Sequence, residues 1–225
     1  GPFGFIDDYD PGFICNHSDH NGRYAFNQQP YIGLWNLSCL AQALLPLASK
    51  EELKAALDSY TPLCERRYME LMQAKVGLSQ EQEDDAALIQ DLLGLMQQSH
   101  VDYTNGFRTL GAFSSAEGSL NEPLRDFFLD RAAFSAWARR YAERLRKEQS
   151  HDGERRARMN RINPKYILRN YLAQTAIEKA QQKDYSEVDR LLALLQDPYS
   201  EQPGMDAYAA SPPNWGKHLS VSCSS

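Results

Sequence analysis

Four potential metal ligands stand close together near the start of the chain. They fall within six residues: Cys15, His17, Asp19 and His20. Thiolate and imidazole groups are ligands that zinc prefers, so this run could supply part of a zinc site. Structural zinc sites usually take their ligands as two separated pairs, and no second pair stands near His100, His151 or His218. An alternative interpretation is that Asn16, Ser18 and Asp19 make turn hydrogen bonds within a loop.

Alternating aspartates just before that run resemble the start of a calcium-binding loop. In the run Asp8-x-Asp10-x-Gly12, alternate carboxylates could turn their oxygens toward one hard cation. The bidentate Glu that completes such a loop is missing at the expected distance, and Pro11 disturbs the ligand frame. Both features argue against a calcium site.

The four cysteines fall into two pairs by their surroundings. Cys39 and Cys64 stand on apolar helical faces, which predicts ordinary buried cysteines. Cys15 and Cys223 stand instead in non-helical segments, where no packing demand requires a thiol. A reversible disulfide between Cys15 and Cys223 is therefore one hypothesis for their role, because it would hold the opening loop against the end of the chain.

A basic region extends from Arg139 to Arg169, with eleven Lys or Arg residues against four acidic residues in an otherwise acidic chain. Arginine side chains in such a region could bind a phosphate group or an acidic peptide. The alternative is a solvated helix face with no ligand.

Five polar side chains near the end of that region are crowded among apolar core positions: Tyr166, Arg169, Asn170, Tyr171 and Gln174. Buried polar side chains are hydrogen-bonded in nearly all cases. We therefore predict that these five form a network that fixes another segment of the chain. The stretch from Gly1 to Pro30 is the expected segment.

Helices must position these residues, because apolar side chains recur at helical spacing from Gly33 onward and no segment shows the alternation of a β-strand. Cap signals divide the helical region. Ser49 with Glu52 has the spacing of a capping box. The other candidate caps are Gly77, Asp130, Asn163 with Pro164, and Ser186 with Asp189. The predicted fold class is mainly α.

The two ends of the chain differ from this helical body, which spans residues 31–197. Residues 1–30 contain four glycines and three prolines and show no apolar period, yet they are rich in aromatic side chains. This composition predicts an ordered functional loop rather than disorder. Residues 198–225 are Pro-rich and carry Cys223, which predicts a coil, with Trp215 lying on the helical body.

The composition restricts the class of protein further. A net charge of −6 argues against general affinity for nucleic acid, and no apolar run is long enough to span a membrane. Four scattered cysteines in 225 residues favour a reducing compartment. The sequence contains no P-loop, nucleophile elbow or dinucleotide fingerprint. The residues present do not assemble a complete active site, and the expected partner is a protein or a nucleotide.

Several long motifs resemble those of the selenoprotein O family, the kinase-like protein adenylyltransferases. They are GPFGFIDDYDPGFICNHSDHNGRYAFNQQP, PYIGLWNLSCLAQAL, PLRDFFLDRAAFSAW, NPKYILRNYLAQTAIEKA and PPNWGKHLSVSCSS. The resemblance implies that residues 1–30 correspond to an activation segment. It implies that the helices form a kinase-like C-lobe with a C-terminal helical extension and a coil tail.

The resemblance also implies a reaction. Family members use ATP and Mg²⁺ to transfer AMP to Ser, Thr or Tyr hydroxyls of protein substrates. Their catalytic, nucleotide-binding and metal-binding residues would lie upstream of Gly1, so none is assigned here. The chain is then expected to be inactive alone and to pair with its own N-terminal kinase-like lobe.

Two further expectations follow from the resemblance. Cys223 stands where family members have selenocysteine or cysteine, and Cys15 matches the activation-segment cysteine thought to pair with it. A bacterial-type member would be cytoplasmic, with no membrane or nucleic-acid partner. A non-catalytic all-α module, whose basic face recruits acidic proteins, stays open as the alternative.

Overall fold

The computed structural model describes residues 5–219, and within that range the chain is helical with no β-strand. The prediction of a mainly α fold is confirmed. The α-helices of the described residues are α1 Gln29–Leu44, α2 Lys50–Asp58, α3 Tyr60–Lys75, α4 Asp85–Gln98, α5 Tyr103–Leu110, α6 Glu122–Arg125, α7 Arg131–Lys147, α8 Asp152–Ile162, α9 Asn170–Gln181 and α10 Ser186–Gln196. None of the helices in residues 5–219 has the length and apolar character needed to cross a membrane.

Local cap signals account for several helix ends. Ser49 and Glu52 form a complete capping box at the start of α2, as predicted. Asp130 caps α7, because its carboxylate accepts hydrogen bonds from the amides of Ala132 and Ala133. Gly77 follows α3 with φ of +77°, a conformation that glycine adopts without strain. The cap predictions at these three positions are confirmed.

The predicted helix start at Asn163 and Pro164 is wrong. Asn163 ends α8, a helix that the sequence analysis missed, and α9 begins only at Asn170. The side chain of Asn163 cannot cap a helix here because Lys75 occupies both of its polar atoms. Its Oδ1 accepts from Lys75 Nζ at 2.9 Å, and its Nδ2 donates to the Lys75 carbonyl at 2.8 Å.

The predicted cap at Ser186 is also wrong. Ser186 is the first residue of α10 rather than its cap, and Tyr185 stands at the cap position without a side-chain hydrogen bond. The carboxylate of Asp184 accepts from the Ser186 amide at 3.0 Å instead. The sequence pattern predicted the position of this helix correctly. It did not identify Asp184 as the residue that accepts a hydrogen bond from the free amide at the start of the helix.

The chain divides into two compact units. The described part of the first is Asp10–Met72, with α1, α2 and most of α3. Its buried apolar side chains are only Ala25 and Met72. The prediction that Cys39 and Cys64 are buried is wrong, since Cys39 is exposed and Cys64 is half-buried. Cys39 is exposed because no described residue covers its side of α1.

The second unit comprises residues 5–9 and 73–219 of the described range and contains most of the core. Aromatic rings of α7 form the centre, with Trp137 and Tyr141 stacked at 5.0 Å between ring centroids. Both rings satisfy their polar atoms: Trp137 Nε1 donates to the Leu88 carbonyl at 2.9 Å, and the Tyr141 hydroxyl donates to the Val76 carbonyl at 2.5 Å. This packed core supports the segments that meet at Arg169.

Candidate functional site

Arg169 is the centre of a cluster that joins distant parts of the second unit. It stands at the cap position of α9 and is only 1% exposed. Its Nη1 donates to Asp7 Oδ1 and lies 2.9 Å from Asp102 Oδ2, while its Nη2 donates to Asp102 Oδ1 at 3.2 Å. One guanidinium group therefore binds two carboxylates, as its fork geometry allows. One of them, Asp7, belongs to residues 7–9, called here the opening segment, and the other, Asp102, belongs to the helical body.

The opening segment is also held by its backbone. The Tyr9 amide donates to the Val101 carbonyl and the Tyr103 amide donates to the Asp7 carbonyl, each at 2.8 Å, around an antiparallel bridge between Asp8 and Asp102. The ring of Tyr9 stacks on that of Tyr103 at 5.4 Å between centroids. Residues 7–9 thus lie along residues 101–103 as a short paired segment.

Asp102 also fixes the start of α5 and binds the C-terminal coil. As the N-cap of α5 it accepts from the Asn105 amide at 2.9 Å. Its Oδ2 accepts from the Ser211 hydroxyl at 2.9 Å, and Asn105 Nδ2 donates to the Ala209 carbonyl at 3.1 Å. The Asp102 carboxylate therefore binds the C-terminal coil directly through Ser211, and it is linked to Asp7 of the opening segment through Arg169.

Burial sets the electrostatics of this cluster. Burial by itself lowers the pKa of Arg169, but the carboxylates of Asp102 and Asp7 offset this and raise its pKa above the ordinary value. Arg169 is therefore charged at neutral pH. Within residues 5–219 its Nε is buried without a hydrogen-bond partner. The cluster depends on ion pairing, because a charged group this deep is costly without partners.

Lys75 lies beside this cluster and is partly buried against aromatic rings. Its Nζ lies 4.7 Å from the ring centroid of Phe107 and 5.3 Å from that of Tyr103. Burial lowers the pKa of Lys75 to about 8. Lys75 donates its hydrogen bond to the uncharged side-chain oxygen of Asn163, so this acceptor does not supply the negative charge that would offset the cost of burial.

The five residues of the predicted network do not all contact the opening segment. Arg169 binds Asp7, as described above. The Tyr166 hydroxyl pairs with the backbone of Gln202, and the Tyr171 hydroxyl donates to the Ala210 carbonyl at 3.4 Å, so both contact the C-terminal coil. Gln174 donates to Glu178 on its own helix, and Asn170 is the first residue of α9.

Two of the candidate metal ligands, Asp10 and Asp19, make turn contacts, and so does the neighbouring Asn16. The Asn16 side chain accepts from the Ser18 amide at 3.1 Å, and Asp19 accepts from the amides of Arg23 and Tyr24 at 3.0 and 2.7 Å. Asp10 likewise accepts from the Gly12 amide at 2.8 Å. Over the described part of the chain, no group of three or more His, Cys, Asp or Glu residues could hold a metal ion.

The remaining sequence candidates fall in different places. Cys15 is half-buried, and Cys223 lies outside the described residues, as does any bond between the two. In the basic region, three arginines are buried and paired rather than solvated. Arg144 binds Asp85 and Glu148, Arg155 binds Asp152, and Arg169 binds Asp7 and Asp102.

Sequence reasoning missed the acceptors of Arg169, Asp7 and Asp102, and the Ser211 hydroxyl that donates to Asp102. Asp102 carried a usable signal, because it directly precedes the apolar stripe of α5 at an N-cap position. Asp7 and Ser211 carried none, since their partners lie 162 and 109 residues away along the chain.

Comparison with known proteins places the chain in one family. The family model described as protein adenylyltransferase SelO matches residues 1–196. The chain therefore belongs to the SelO family of protein adenylyltransferases.

Curated relatives carry a related name. The chain is 56% identical over its whole length to the protein nucleotidyltransferase YdiU of Myxococcus xanthus. It is 54% identical to the protein of the same name from Pseudomonas fluorescens (strain Pf0-1) and 51% identical to that from Vibrio vulnificus (strain YJ016). It covers 46% of each of these proteins, so it spans about half the length of the relatives it matches.

Proposed function

We propose that this chain is the C-terminal portion of a longer protein adenylyltransferase. In this proposal the whole protein transfers AMP from ATP to Ser, Thr or Tyr hydroxyls of protein substrates. The observation that carries the proposal is the family match over residues 1–196, together with relatives named protein nucleotidyltransferase that are about twice as long.

The proposed reaction is a displacement at the α-phosphorus of ATP. The substrate hydroxyl oxygen forms a bond to that phosphorus, the bond to the bridging oxygen of the β-phosphate breaks, and pyrophosphate leaves with the electron pair. The hydroxyl proton passes to a base. Catalysis of such a step consists mainly of positioning and charge neutralisation.

We assign the nucleotide, the metal and the catalytic residues to the half of the longer protein that this chain does not span, because the family resemblance implies that they lie upstream of Gly1. In residues 5–219 no group of three or more His, Cys, Asp or Glu side chains could hold a metal ion. An ATP-bound Mg²⁺ takes one or two protein carboxylates and completes its shell with phosphate oxygens and water. In this assignment the helices described here form a kinase-like C-lobe, and the missing half includes the N-terminal lobe.

We assign a positioning role to Arg169. In this proposal residues 1–30 correspond to an activation segment, whose placement decides whether substrate and nucleotide can align. Residues 7–9 of it are held by the Arg169 ion pair and by two backbone hydrogen bonds at 2.8 Å. Such a tether fixes residues 7–9 to the second unit, which is what positioning requires.

Label transfer from ATP tests this proposal. The longer protein that contains this chain is incubated with acceptor protein and ATP labelled at either the α- or the γ-phosphorus. We expect protein labelling from the α position only, and no labelling by residues 1–225 alone. Labelling from the γ position would overturn AMP transfer, and strong AMP transfer by residues 1–225 alone would overturn the division of roles.

We propose a second, redox-dependent tether between Cys15 and Cys223. Two thiols would lose two electrons and two protons to a disulfide or peroxide oxidant, and the opening loop would be linked to the chain end. Intact mass and peptide mapping under non-reducing conditions test this. The expected result is a linked Cys15–Cys223 peptide and the loss of two hydrogens. Free thiols at both positions after oxidation would contradict it.

The alternative of an adaptor with a basic recruiting face would have to use the exposed cations of the basic region, such as Arg139, Lys147 and Arg156. Arg144, Arg155 and Arg169 cannot contribute, because they are buried in ion pairs within the chain. Lys165 is likewise paired with Glu201 and Asp206.

A further inference from the structure

Helix α1 has an unusual composition for a helix that buries nothing. Its sixteen residues, QPYIGLWNLSCLAQAL, include no Asp, Glu, Lys or Arg, and none of its side chains is buried. The uncharged stretch continues on both sides, from Tyr24 to Ser49. Large apolar side chains of α1 are exposed in the described structure, among them Tyr31 at 69%, Trp35 at 52% and Leu40 at 54%.

These exposed side chains do not lie on one stripe of α1. At 100° per residue, Trp35 and Leu40 point in directions about 140° apart around the helix axis. A helix that is apolar on all sides is typical of a protein interior rather than of a surface. Exposed apolar patches of this kind mark interaction surfaces in proteins.

Helix α3 of the same unit also exposes large apolar side chains, and its first residue contacts α1, where the Tyr60 hydroxyl donates to the Pro30 carbonyl at 3.1 Å. Leu63, Tyr68 and Leu71 are each about half exposed, and Met72 is the only buried side chain of α3. By contrast, α2 carries five charged residues among nine and has the composition of a solvated helix. Among the three helices of the unit, the exposed large apolar side chains therefore belong to α1 and α3, and we call these side chains the apolar surface of α1 and α3.

The length of the relatives indicates what covers this surface. The chain spans 46% of the curated relatives, and α1 lies within the region that matches the family. Those relatives therefore have a further half that could lie against α1. Because a covalently attached segment is present at an effective concentration of about millimolar, it competes well against a separate partner.

We infer that the apolar surface of α1 and α3 is the docking surface for the half of the longer protein that this chain does not span. The inference rests on the proposed function only in taking this chain as part of a longer protein. The occupant is a folded apolar surface of the same polypeptide, and α1 becomes an interior helix when that surface is in place.

Cys39 provides a direct test, because it lies on α1 and its side chain is exposed in the described structure. The rate of Cys39 alkylation is measured by peptide mapping in the longer protein, in residues 1–225 alone and in both proteins unfolded in urea. We expect the longer protein to protect Cys39 at least about tenfold relative to its unfolded form, as a buried helix does. Residues 1–225 alone should show little protection.

Two substitutions that each add a carboxylate separate the apolar surface from the rest of the unit, and the second of them is the matched control. Leu40→Glu places a carboxylate on the apolar surface, and Ala55→Glu places one on the exposed side of α2. In the longer protein, Leu40→Glu should abolish most of the protection of Cys39, whereas Ala55→Glu should leave it unchanged. Neither substitution should alter the Cys39 rate in residues 1–225 alone by more than about twofold, because both positions are exposed there.

Two results would overturn the inference. One is equal alkylation of Cys39 in the folded longer protein and in its urea-unfolded form. The other is strong protection in residues 1–225 alone, which would assign the surface to a second copy if protection rose with concentration, and to the chain itself if it did not. Alkylation requires no activity, so protected Cys39 in a longer protein without AMP transfer would contradict the proposed function and leave this inference standing.

Discussion

Arg169 and Asp102 form an ion pair in which both side chains are buried, with Arg169 Nη1 2.9 Å from Asp102 Oδ2. The same guanidinium binds Asp7 of the opening segment, and the same carboxylate binds Ser211 of the C-terminal coil. One pair of residues therefore links three regions of the chain. Because all three regions are held by this pair, mutation of Arg169 or Asp102 tests the contacts of all three at once.

Replacing Arg169 should destabilise the chain strongly. Arg169→Met leaves Asp7 and Asp102 without their shared counter-ion, and breaking such a buried pair costs about 3–5 kcal/mol. Urea unfolding measures the loss. Arg66→Met is the matched control, since Arg66 is 69% exposed and lies 3.9 Å from Glu70, and it should cost less than about 1 kcal/mol. Equal effects of the two substitutions would contradict the account of the cluster.

Hydrogen exchange should locate the damage in the same variant. The amides of Tyr9 and Tyr103 donate to the carbonyls that join the opening segment to the helical body. We expect both amides to exchange faster in Arg169→Met than in the wild type. Exchange rates of amides in α7 should rise only by the amount that the lower free energy of global unfolding accounts for. Unchanged exchange at Tyr9 would show that the backbone pairing does not need the ion pair.

Lys75 should make stability rise with pH between about 8 and 10.5. Burial lowers its pKa from 10.5 to about 8, so the folded chain releases this proton at a lower pH than the unfolded chain does. Below pH 8 both states hold the proton, and the folded state bears the full cost of the buried charge. Above pH 8 that cost is relieved, by up to about 3 kcal/mol.

Urea unfolding at several pH values from 7 to 10.5 tests this. Lys75→Met should remove the rise, and Lys54→Met, at a position that is 72% exposed, should keep it. The same pH slope in both variants would rule out Lys75 as its origin.

Gly77 should tolerate alanine less well than Gly118, although both have φ of +77°. Alanine in this conformation costs about 1 kcal/mol at either position. At Gly77 a Cβ would also lie 2.6 Å from Met159 Sδ and 2.7 Å from Arg155 Cγ, whereas nothing lies within 4 Å at Gly118. The overpacking adds about 1–3 kcal/mol, measurable as a lower urea midpoint. Similar midpoints for the two variants would contradict the packing described around Gly77.

The sequence predicted features that depend on neighbouring residues. The capping box of Ser49 and Glu52 and the cap at Asp130 need only three or four consecutive residues, so local patterns were sufficient. Asn163 has an equally good cap signal, but Lys75, 88 residues earlier, occupies its side chain. Tertiary contacts of this kind override local preference and cannot be read from spacing.

The candidate site was predictable only in part for the same reason. Arg169 stood out as a polar residue among core positions, and its burial follows that pattern. Its acceptors did not stand out, because Asp7 and Asp102 become its neighbours only after folding. The exposure of Cys39 was mispredicted because an apolar helix predicts a covering surface, and residues 5–219 do not supply one.

The most direct test of the central claim is label transfer by the longer protein that contains this chain. Wild type and Arg66→Met should transfer label from the α-phosphorus of ATP to acceptor protein. Arg169→Met should lose that transfer at least about tenfold, because residues 7–9, which the proposed function assigns to positioning, are no longer held by Arg169. Circular dichroism of each variant shows whether it is folded. Transfer of label from the γ-phosphorus, or undiminished α-label transfer by a folded Arg169→Met variant, would contradict the account.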